Sequence, residues 1–192
     1  MKVNEIFYSL QGEGFHTGTP AVFVRLSGCN LQCPFCDTHH QEGREMTETE
    51  IVAQAGQYPS RTMVITGGEP SLFLTASLVD ALHCEGWRVN VETNGTHRLP
   101  DNVDWVTLSP KDAFTENAEP VRQRYDELKV VYNGIDEPDE YRQFQITHRF
   151  LQPCDVGDAR QNSKIVRATI NYIKSHPQWR LSLQTHKILD IP

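Results

Sequence analysis

Short apolar runs alternate with longer amphipathic stretches along the chain. The apolar runs carry β-branched or aromatic residues, which is typical of buried strands. Seven of them predict strands over 21–26, 63–66, 87–91, 105–108, 128–132, 149–151 and 179–183. Strands that alternate with helices in this way predict βα units, and therefore an α/β fold with a mostly parallel sheet.

Three of the intervening stretches predict helices. Thr47 and Glu50 have the spacing of a capping box, and apolar residues at helical intervals follow them. Leucines on one face over 74–82 predict a second helix that ends near Gly86. The segment 158–175 repeats isoleucine and valine at helical spacing, which predicts a helix packed on the sheet.

Two polar and charged segments, 112–127 and 136–147, break this pattern. They are expected to be solvated connections and amphipathic helices that carry no chemistry. No internal repeat, low-complexity segment or linker divides the chain. The sequence therefore predicts a single domain over residues 1–192.

Composition and charge narrow the class of protein. With 192 residues, 38% hydrophobic and 22% charged, the chain has the composition of a globular domain with one sizeable core. Its net charge of −7 argues against a broad electrostatic affinity for nucleic acid. No apolar run approaches the roughly 20 residues of a membrane span, and the start of the chain does not resemble a signal peptide. We therefore expect a cytoplasmic protein that binds neither nucleic acid directly nor a membrane.

Three of the five cysteines, Cys29, Cys33 and Cys36, lie on one short loop after an apolar run. Such crowding favours a metal site in a reducing compartment over a disulfide framework. An iron–sulfur cubane held by protein alone uses four cysteinates, so three would leave one iron open to a small molecule. Cys84 and Cys154 stand alone and are interpreted as small core residues or free thiols.

A zinc site is the alternative for these thiols, with His39, His40 or Cys84 as its fourth ligand. The spacing alone leaves zinc and iron about equally open, because three-cysteine clusters serve both metals. Two details favour an iron–sulfur cluster. Zinc ligands usually come as two separated pairs, whereas all three thiols here share one loop. Aromatic Phe35, directly before the third cysteine, would also shield one side of a cluster.

Polar residues gather where the predicted strands end. Because ligands of parallel α/β folds bind at the carboxyl ends of the strands, we expect these residues to meet above one sheet. Gly67 and Gly68 expose backbone groups beside Glu69, which could hold the amino group of an amino-acid-like ligand or form a plain turn. Arg25, inside a predicted strand, is either half of a core ion pair or a planar fork for a carboxylate ligand.

Two motifs carry a resemblance to a known superfamily. The spacing of the three cysteines resembles the CxxxCxΦC signature of the radical S-adenosylmethionine (radical SAM) enzymes, and Gly67-Gly68-Glu69-Pro70 resembles their motif for the methionine amino group. Further segments are similar to the 7-carboxy-7-deazaguanine synthase family of queuosine biosynthesis, namely 10–14, 36–38, 92–96, 109–111 and 183–187. The resemblance covers essentially the whole chain, although 42–58 is less informative because the family varies there.

The resemblance implies a fold, an activity and a set of partners. The fold is an abridged partial (βα) barrel of the radical SAM type, because 192 residues fall short of the ~250 of a full barrel. The activity is that of a carbon–nitrogen lyase in a tRNA-modification pathway. It converts 6-carboxy-5,6,7,8-tetrahydropterin to 7-carboxy-7-deazaguanine by radical ring contraction with loss of ammonia. The implied cofactors are a [4Fe-4S] cluster, S-adenosyl-L-methionine and Mg²⁺, and the implied partners are an electron donor such as flavodoxin or ferredoxin and a second copy of the chain.

The resemblance also implies roles for individual residues. The cysteines at 29, 33 and 36 would bind three irons, and Thr38 would bind Mg²⁺. The residues implied to hold S-adenosylmethionine are Phe35, Cys36, Asp37, Gly68, Glu69, Asn94, Ser109, Pro110, Lys111 and Gln152. Those implied for the pterin pocket are Leu10, Gln11, Gly12, Glu13, Arg25, Thr66, Glu92, His186 and, through its terminal carboxylate, Pro192. No general acid or base is assigned.

These roles agree with the chemistry of the side chains, and two alternatives stay open. Glu13 and Glu92 can accept hydrogen bonds from the amino and ring N–H groups of a pterin, and Arg25 can offset a carboxylate charge. A glycyl-radical activating enzyme would share the cluster and the Gly-Gly-Glu-Pro motif, but the segments 10–14 and 184–187 count against it. The other alternative is a zinc-binding module without enzymatic activity.

Overall fold

The computed structural model describes residues 1–38, 41–138 and 141–192. Its strands are β1 (Lys2–Leu10), β2 (Pro20–Leu26), β3 (Arg44–Glu45), β4 (Thr62–Gly67), β5 (Arg88–Thr93), β6 (Trp105–Leu108), β7 (Glu127–Tyr132), β8 (His148–Pro153) and β9 (Arg180–Leu181). Its helices are α1 (Glu48–Ala55), α2 (Ala76–Cys84), α3 (Ala159–Ser175) and α4 (Thr185–Leu189), with a 3₁₀ turn over Pro70–Leu72.

The strands form one sheet in the order β3-β1-β2-β4-β5-β6-β7-β8-β9. From β2 onward along this order the neighbouring strands are parallel. β1 runs antiparallel to both β2 and β3, at the other end of the sheet. The prediction of an α/β fold with a mostly parallel sheet is confirmed.

Hydrogen bonds between the two ends of the chain show that the sheet curves round an interior. The loop after β1 contacts the segment after β9: the Gly14 amide donates to Ser182 Oγ at 3.0 Å, and the Thr185 amide donates to the Gly12 carbonyl at 3.0 Å. Among the described residues β1 and β9 do not pair, so these contacts bridge the opening of an abridged, partial barrel.

Helices α1, α2 and α3 cover the outer face of the sheet. Helix α1 begins after Thr47 with both halves of the predicted capping box, since the Glu50 amide donates to Thr47 Oγ1 and the Thr47 amide to the Glu50 carboxylate. Ile51 of α1 and Leu78 and Leu82 of α2 are fully buried against the sheet. No helix of the described part of the chain is long and apolar enough to cross a bilayer.

The prediction for the two polar segments is wrong. In the described residues of 112–126 and 136–147 the chain forms turns and irregular loops rather than helices, and Glu127 begins β7. Both segments also contribute to the core, because Tyr125 and Phe144 are buried and meet edge to face at 5.2 Å. Their apolar side chains are spaced irregularly in sequence, so no helical or strand period reveals which of them are buried.

Candidate active site

A cavity of about 590 Å³ lies at the carboxyl ends of the parallel strands, which is an ordinary size for a small-molecule site. Its wall contains every residue predicted for the site except one. These are Leu10, Gln11, Gly12, Glu13, Arg25, Cys29, Cys33, Phe35, Cys36, Asp37, Thr38, Thr66, Gly68, Glu69, Glu92, Asn94, Ser109, Lys111, Gln152, His186 and Pro192. The exception is Pro110, which is buried between Ser109 and Lys111.

The cysteine loop forms one side of the cavity. Cys29 and Cys33 are half-buried and Cys36 is exposed. The Leu31 amide approaches Cys29 Sγ at 3.4 Å, and Thr115 Oγ1 approaches Cys33 Sγ at 3.9 Å. Burial raises the pKa of the Cys29 thiol, the Leu31 amide opposes this rise, and nearby acidic groups add to it.

Three soft thiols on one cavity wall fit an iron–sulfur cluster better than a hard cation. Within the described residues, no three His, Cys, Asp or Glu side chains stand in a ready-made metal arrangement. Two histidines considered for a zinc site, His39 and His40, lie outside the described residues. The third candidate, Cys84, is exposed at the end of α2 and is not part of the cavity wall.

The Gly-Gly-Glu-Pro motif packs directly on the cysteine loop. The Gly68 amide donates to the Leu26 carbonyl at 2.9 Å, and the Glu69 amide donates to the Gly28 carbonyl at 2.8 Å. A Cβ atom on Gly68 would lie 1.9 Å from the Gly28 oxygen. The second glycine is therefore required for the two motifs to lie side by side.

The buried carboxylate of Glu69 links the end of β4 to the end of β5 through hydrogen bonds. Its carboxylate accepts hydrogen bonds from the Ser71 amide at 2.9 Å, from Thr93 Oγ1 at 2.5 Å and from the Asn94 amide at 2.7 Å. A carboxylate has about four acceptor positions, so one remains on the oxygen that Asn94 contacts. Asn94 in turn donates to Asn30 of the cysteine loop at 3.2 Å, which joins the end of β5 to that loop.

Ser109 and Lys111 present a cation to the same cavity. Lys111 Nζ donates to the carbonyl and the hydroxyl of Ser109 at 2.6 and 2.7 Å. Burial lowers the pKa of the Lys111 ammonium, although Cys33 opposes this effect. Gln152, at the end of β8, accepts from Ser182 Oγ at 3.0 Å and so faces the cavity in a fixed orientation.

The opposite side of the cavity holds two carboxylates that share one buried lysine. Lys129 on β7 is 3% exposed and donates to Glu13 Oε2 and, at 2.7 Å, to Glu92 Oε2. Gln11 Nε2 donates to Glu92 Oε1 at 2.9 Å, and the Glu13 amide donates to Gln11 Oε1 at 3.1 Å. These bonds close a ring of four residues, hereafter the Lys129 ring: Gln11, Glu13, Glu92 and Lys129.

The pKa values of this ring reflect its ion pairs. Burial alone would raise the pKa of the Glu13 carboxyl, but Lys129, together with Gln184 and His186, holds it below its usual range. Burial alone would lower the pKa of Lys129, but the surrounding carboxylates raise it above its ordinary value. The sequence reasoning missed Lys129, although a lysine between Leu128 and Val130 in an apolar strand is a usable signal.

Glu127, two residues before Lys129, is a second buried group that sequence reasoning missed. It is 2% exposed, and its Oε2 accepts from the Phe15 amide at 3.2 Å. Burial raises the pKa of Glu127 to about 7, with Lys129 opposing and Glu92 adding to the rise. Gly14 has a positive φ of 66°, and a Cβ there would lie 1.9 Å from Glu127 Oε1, so the second glycine of the Gln-Gly-Glu-Gly segment makes room for this carboxyl.

Arg25 makes an ion pair, but not in the core, because its partner Glu5 is 49% exposed, and its role as a fork for a ligand carboxylate stays a prediction. Its Nε donates to Glu5 Oε1 at 2.7 Å, and its guanidinium lies 5.7 Å from the Phe7 ring centroid. The side chain is 26% exposed and lines the cavity. One ion pair leaves other N–H groups of the guanidinium facing the space where a ligand carboxylate could lie.

The end of the chain folds over the cavity as helix α4, for which the sequence predicted no helix. His186 lies against Gly12, where a Cβ would be 2.2 Å from the imidazole Nδ1. Lys187 joins Asp37 of the cysteine loop at 2.9 Å to Asp155 after β8 at 3.0 Å. Hydrogen bonds from the Gly157 amide and from Lys187 lower the pKa of Asp155 to about 2. Neither Lys187 nor Asp155 was assigned a role from the sequence.

Comparisons with known proteins complete the description. A family model of the radical SAM superfamily matches residues 23–148, more than half of the chain. A 7-carboxy-7-deazaguanine synthase from Bacteroides thetaiotaomicron is 52% identical over 190 residues, which cover 99% of this chain and 98% of the relative. Another, from Nitratidesulfovibrio vulgaris, is 42% identical over 219 residues and covers 100% of this chain and 99% of the relative. A solved structure of QueE from Escherichia coli is 30% identical, covers 95% of this chain and 92% of its own, and has a TM-score of 0.72.

Proposed function

The chain belongs to the radical SAM superfamily and, within it, to the 7-carboxy-7-deazaguanine synthase family, and we propose that it converts 6-carboxy-5,6,7,8-tetrahydropterin into 7-carboxy-7-deazaguanine. One observation carries the proposal. A single cavity joins three thiols on one side to a ring of fixed hydrogen-bond acceptors on the other. The first side suits a cluster, and the second suits a heterocycle that presents N–H groups.

We propose that Cys29, Cys33 and Cys36 hold a [4Fe-4S] cluster and that S-adenosyl-L-methionine lies beside it. When bound, these groups supply an electron and a hydrogen abstraction, which protein side chains cannot supply. The chain's own residues position the methionine part: Gly68 brings backbone next to the cysteine loop, and Glu69 keeps one acceptor position for an ammonium. Lys111 offers a cation for the methionine carboxylate.

The other half of the cavity is proposed to bind the pterin. Glu13 and Glu92 would accept from the amino and ring N–H groups, Arg25 would offset the substrate carboxylate, and Thr38 would hold the Mg²⁺ ion. The terminal carboxylate of Pro192 is proposed to reach the substrate, which the place of Pro192 in the cavity wall supports.

The remaining features of the proposal follow from the family. Residues 1–192 are proposed to form one radical SAM domain that acts as a homodimer and receives electrons from a donor such as flavodoxin or ferredoxin. A cytoplasmic location is proposed because an exposed cluster loop with free thiols needs a reducing compartment. The product would enter a pathway of tRNA modification without direct contact between this protein and nucleic acid.

Anaerobic reconstitution with iron and sulfide tests the proposal. The protein should turn brown, cleave S-adenosylmethionine on reduction, and release 7-carboxy-7-deazaguanine and ammonia from the carboxytetrahydropterin, as followed by mass spectrometry. A colourless protein that retains zinc would overturn the enzymatic assignment. Cleavage of S-adenosylmethionine without deazaguanine would instead support the alternative of an activating enzyme with a protein substrate.

A further inference from the structure

Lys129 makes two ion pairs, and both partners are residues predicted to bind the substrate. No other lysine in the described part of the chain pairs with two such residues. Its ammonium contacts Glu13 from the loop after β1 and Glu92 from β5. Glu13 and Lys129 are 116 residues apart in sequence, so folding alone brings them together. The side chain is 3% exposed, and two of its three donors bond to carboxylates.

The ring leaves the two carboxylates fixed but not saturated. Glu13 Oε1 accepts from Gln184 Nε2 at 3.1 Å, and Glu92 Oε1 accepts from Gln11 Nε2 at 2.9 Å. Each Oε2 accepts from Lys129. Every oxygen of both carboxylates therefore has one protein donor and can accept one more hydrogen bond. The ring offers the cavity a rigid row of acceptors.

Removing the ammonium would leave two like charges together in a buried place. Two carboxylates that share a site cannot both ionise easily, so one of them takes up a proton. A protonated carboxyl becomes a donor. It would then face the N–H donors of a pterin with a donor of its own instead of accepting from them. Lys129 thus controls both the place and the polarity of the acceptors.

We infer that Lys129 is a positioning residue, which holds the carboxylates of Glu13 and Glu92 as a fixed pair of acceptors and so selects a heterocycle that presents N–H donors. The inference rests on the proposed function and deepens it. Two of the three ammonium donors of Lys129 bond to these carboxylates, and its effect on the substrate is exerted through them. Its effect belongs to pterin binding and not to the cysteine side of the cavity.

The variant K129M tests this role because it removes the charge and keeps an unbranched side chain of similar length. Three readouts are taken on reconstituted enzyme: binding of 6-carboxypterin by its fluorescence, kcat/KM for the carboxytetrahydropterin, and reductive cleavage of S-adenosylmethionine without pterin. We expect the first two to fall about 100-fold, as for other misplaced binding groups. The third should not change.

The pH profile supplies a readout that a purely structural role would not give. In K129M the Glu13 and Glu92 pair retains a proton toward neutral pH, so kcat/KM should rise with pH along an acidic limb that the wild type lacks. The other ionisable groups that face the ring are Glu127, Lys111 and His186, and they are the same in both proteins. Because Lys129 also lowers the pKa of Glu127, both profiles are recorded in an E127Q background, where the difference between them belongs to the Glu13 and Glu92 pair.

A second variant separates charge from position. K129R keeps the cation but has a longer, planar head group, so the acidic limb should be absent while 6-carboxypterin still binds about tenfold more weakly than to the wild type. The control is K164M, which makes the same substitution at an exposed lysine of α3 outside the cavity wall and should leave all readouts unchanged. K129R also decides the matter if K129M does not fold.

Three outcomes would overturn the inference: wild-type binding in K129M, wild-type binding in K129R, or a loss of S-adenosylmethionine cleavage in proportion to the loss of turnover. A failure of the proposed function looks different. In that case the unsubstituted enzyme itself neither binds 6-carboxypterin nor forms the deazaguanine. Product formation by the wild type with unchanged kinetics in both variants would leave the function standing and remove the role of Lys129.

Discussion

The two sides of the cavity are built in different ways. On the cysteine side, three thiols on a loop have contacts of 3.4 Å or longer, and Cys36 is exposed. On the opposite side, the Lys129 ring is closed by short ion pairs and hydrogen bonds around a lysine that is 3% exposed. The proposed cluster would complete the geometry of the cysteine side, whereas protein hydrogen bonds and ion pairs already fix the opposite side, which is proposed to bind the pterin and is hereafter the pterin side.

This difference predicts how each side responds to damage. A thiol lost from the loop removes a metal ligand but leaves no buried charge without a partner. Loss of Lys129 would instead leave Glu13 and Glu92 without their shared cation, and breaking a buried ion pair typically costs about 3 to 5 kcal/mol. Changes on the cysteine side should therefore abolish chemistry and spare folding, and changes on the other side should affect recognition and stability together.

The largest effect is expected from C29A. With two of three thiols left, the cluster should not assemble, so reductive cleavage of S-adenosylmethionine and turnover should both be abolished. The protein should still fold and bind 6-carboxypterin, because the Lys129 ring is intact. Iron content, cleavage and fluorescence binding measure the three properties.

The matched control for C29A is C84A, since Cys84 is exposed at the end of α2 and lies outside the cavity wall. It should retain iron and full turnover. If C29A lost pterin binding as well as iron, the two sides of the cavity would not be independent, and the contrast between them would fail.

Deletion of Leu189–Pro192 is expected to have the next largest effect. These residues continue from α4, where the Ile191 amide donates to the His186 carbonyl at 3.1 Å, and Pro192 reaches the cavity wall. We expect kcat/KM to fall about 100-fold or more while cluster assembly survives, because the tail serves the pterin side. The full-length variant L189A, which trims an exposed side chain, is the control. Normal turnover after the deletion would refute a role for the tail.

The sequence predicted the parts of the fold that depend on local patterns and missed those that depend on packing between distant segments. β6 was placed at 105–108 as observed, and the capping box of α1 was found, because both depend on local patterns. The turns that bury Tyr125 and Phe144 were missed, since their burial depends on packing between segments that share no period. β9 is shorter than predicted, and α4 was not predicted, because both are short and lack a full apolar period.

The same limit applies to the prediction of the site residues. All but one of the residues that the strand ends and the family resemblance indicated lie in the cavity wall, because residues at the carboxyl ends of parallel strands share one edge of the sheet. Lys129 and Glu127 were missed because they lie within a strand, and their partners are distant in sequence. A charged residue in an apolar strand indicates a buried partner. Which residue that partner is becomes known only from the folded sheet, where distant segments meet.

A substitution at Gly14 should test how tightly the pterin side is packed. Gly14 and Gly18 both have positive φ, at 66° and 86°, so alanine at either position carries a backbone cost of about 1 to 2 kcal/mol. At Gly14 the new Cβ would also lie 1.9 Å from Glu127 Oε1, whereas the space around Gly18 is open. G14A should therefore lose about 1 to 3 kcal/mol more unfolding free energy than G18A, measured by urea unfolding. Equal losses would show that the carboxyl of Glu127 moves aside freely.

The smallest effect concerns the pH dependence of folding at Glu127. Burial raises the pKa of its carboxyl from 4.5 to about 7, so between these values the folded protein retains a proton that the unfolded chain has lost. Because the folded state binds more protons in that window, Glu127 makes unfolding easier as pH rises from about 4.5 to 7, by about 1 to 3 kcal/mol in total.

E127Q removes this titration and keeps an oxygen that can accept from the Phe15 amide. The unfolding free energy of E127Q relative to the wild type should therefore increase between pH 5 and pH 8 and then level off. Urea unfolding at four pH values measures that difference, and the other titrating groups cancel in it. A difference that stays constant with pH would mean that Glu127 does not titrate in the folded state near neutral pH. The ionised carboxylates of Glu13, Glu92 and Glu127 would then surround Lys129 on the pterin side. The stability of the ring would have to come from hydrogen bonds with Gln11 and Gln184 rather than from a balance of charge.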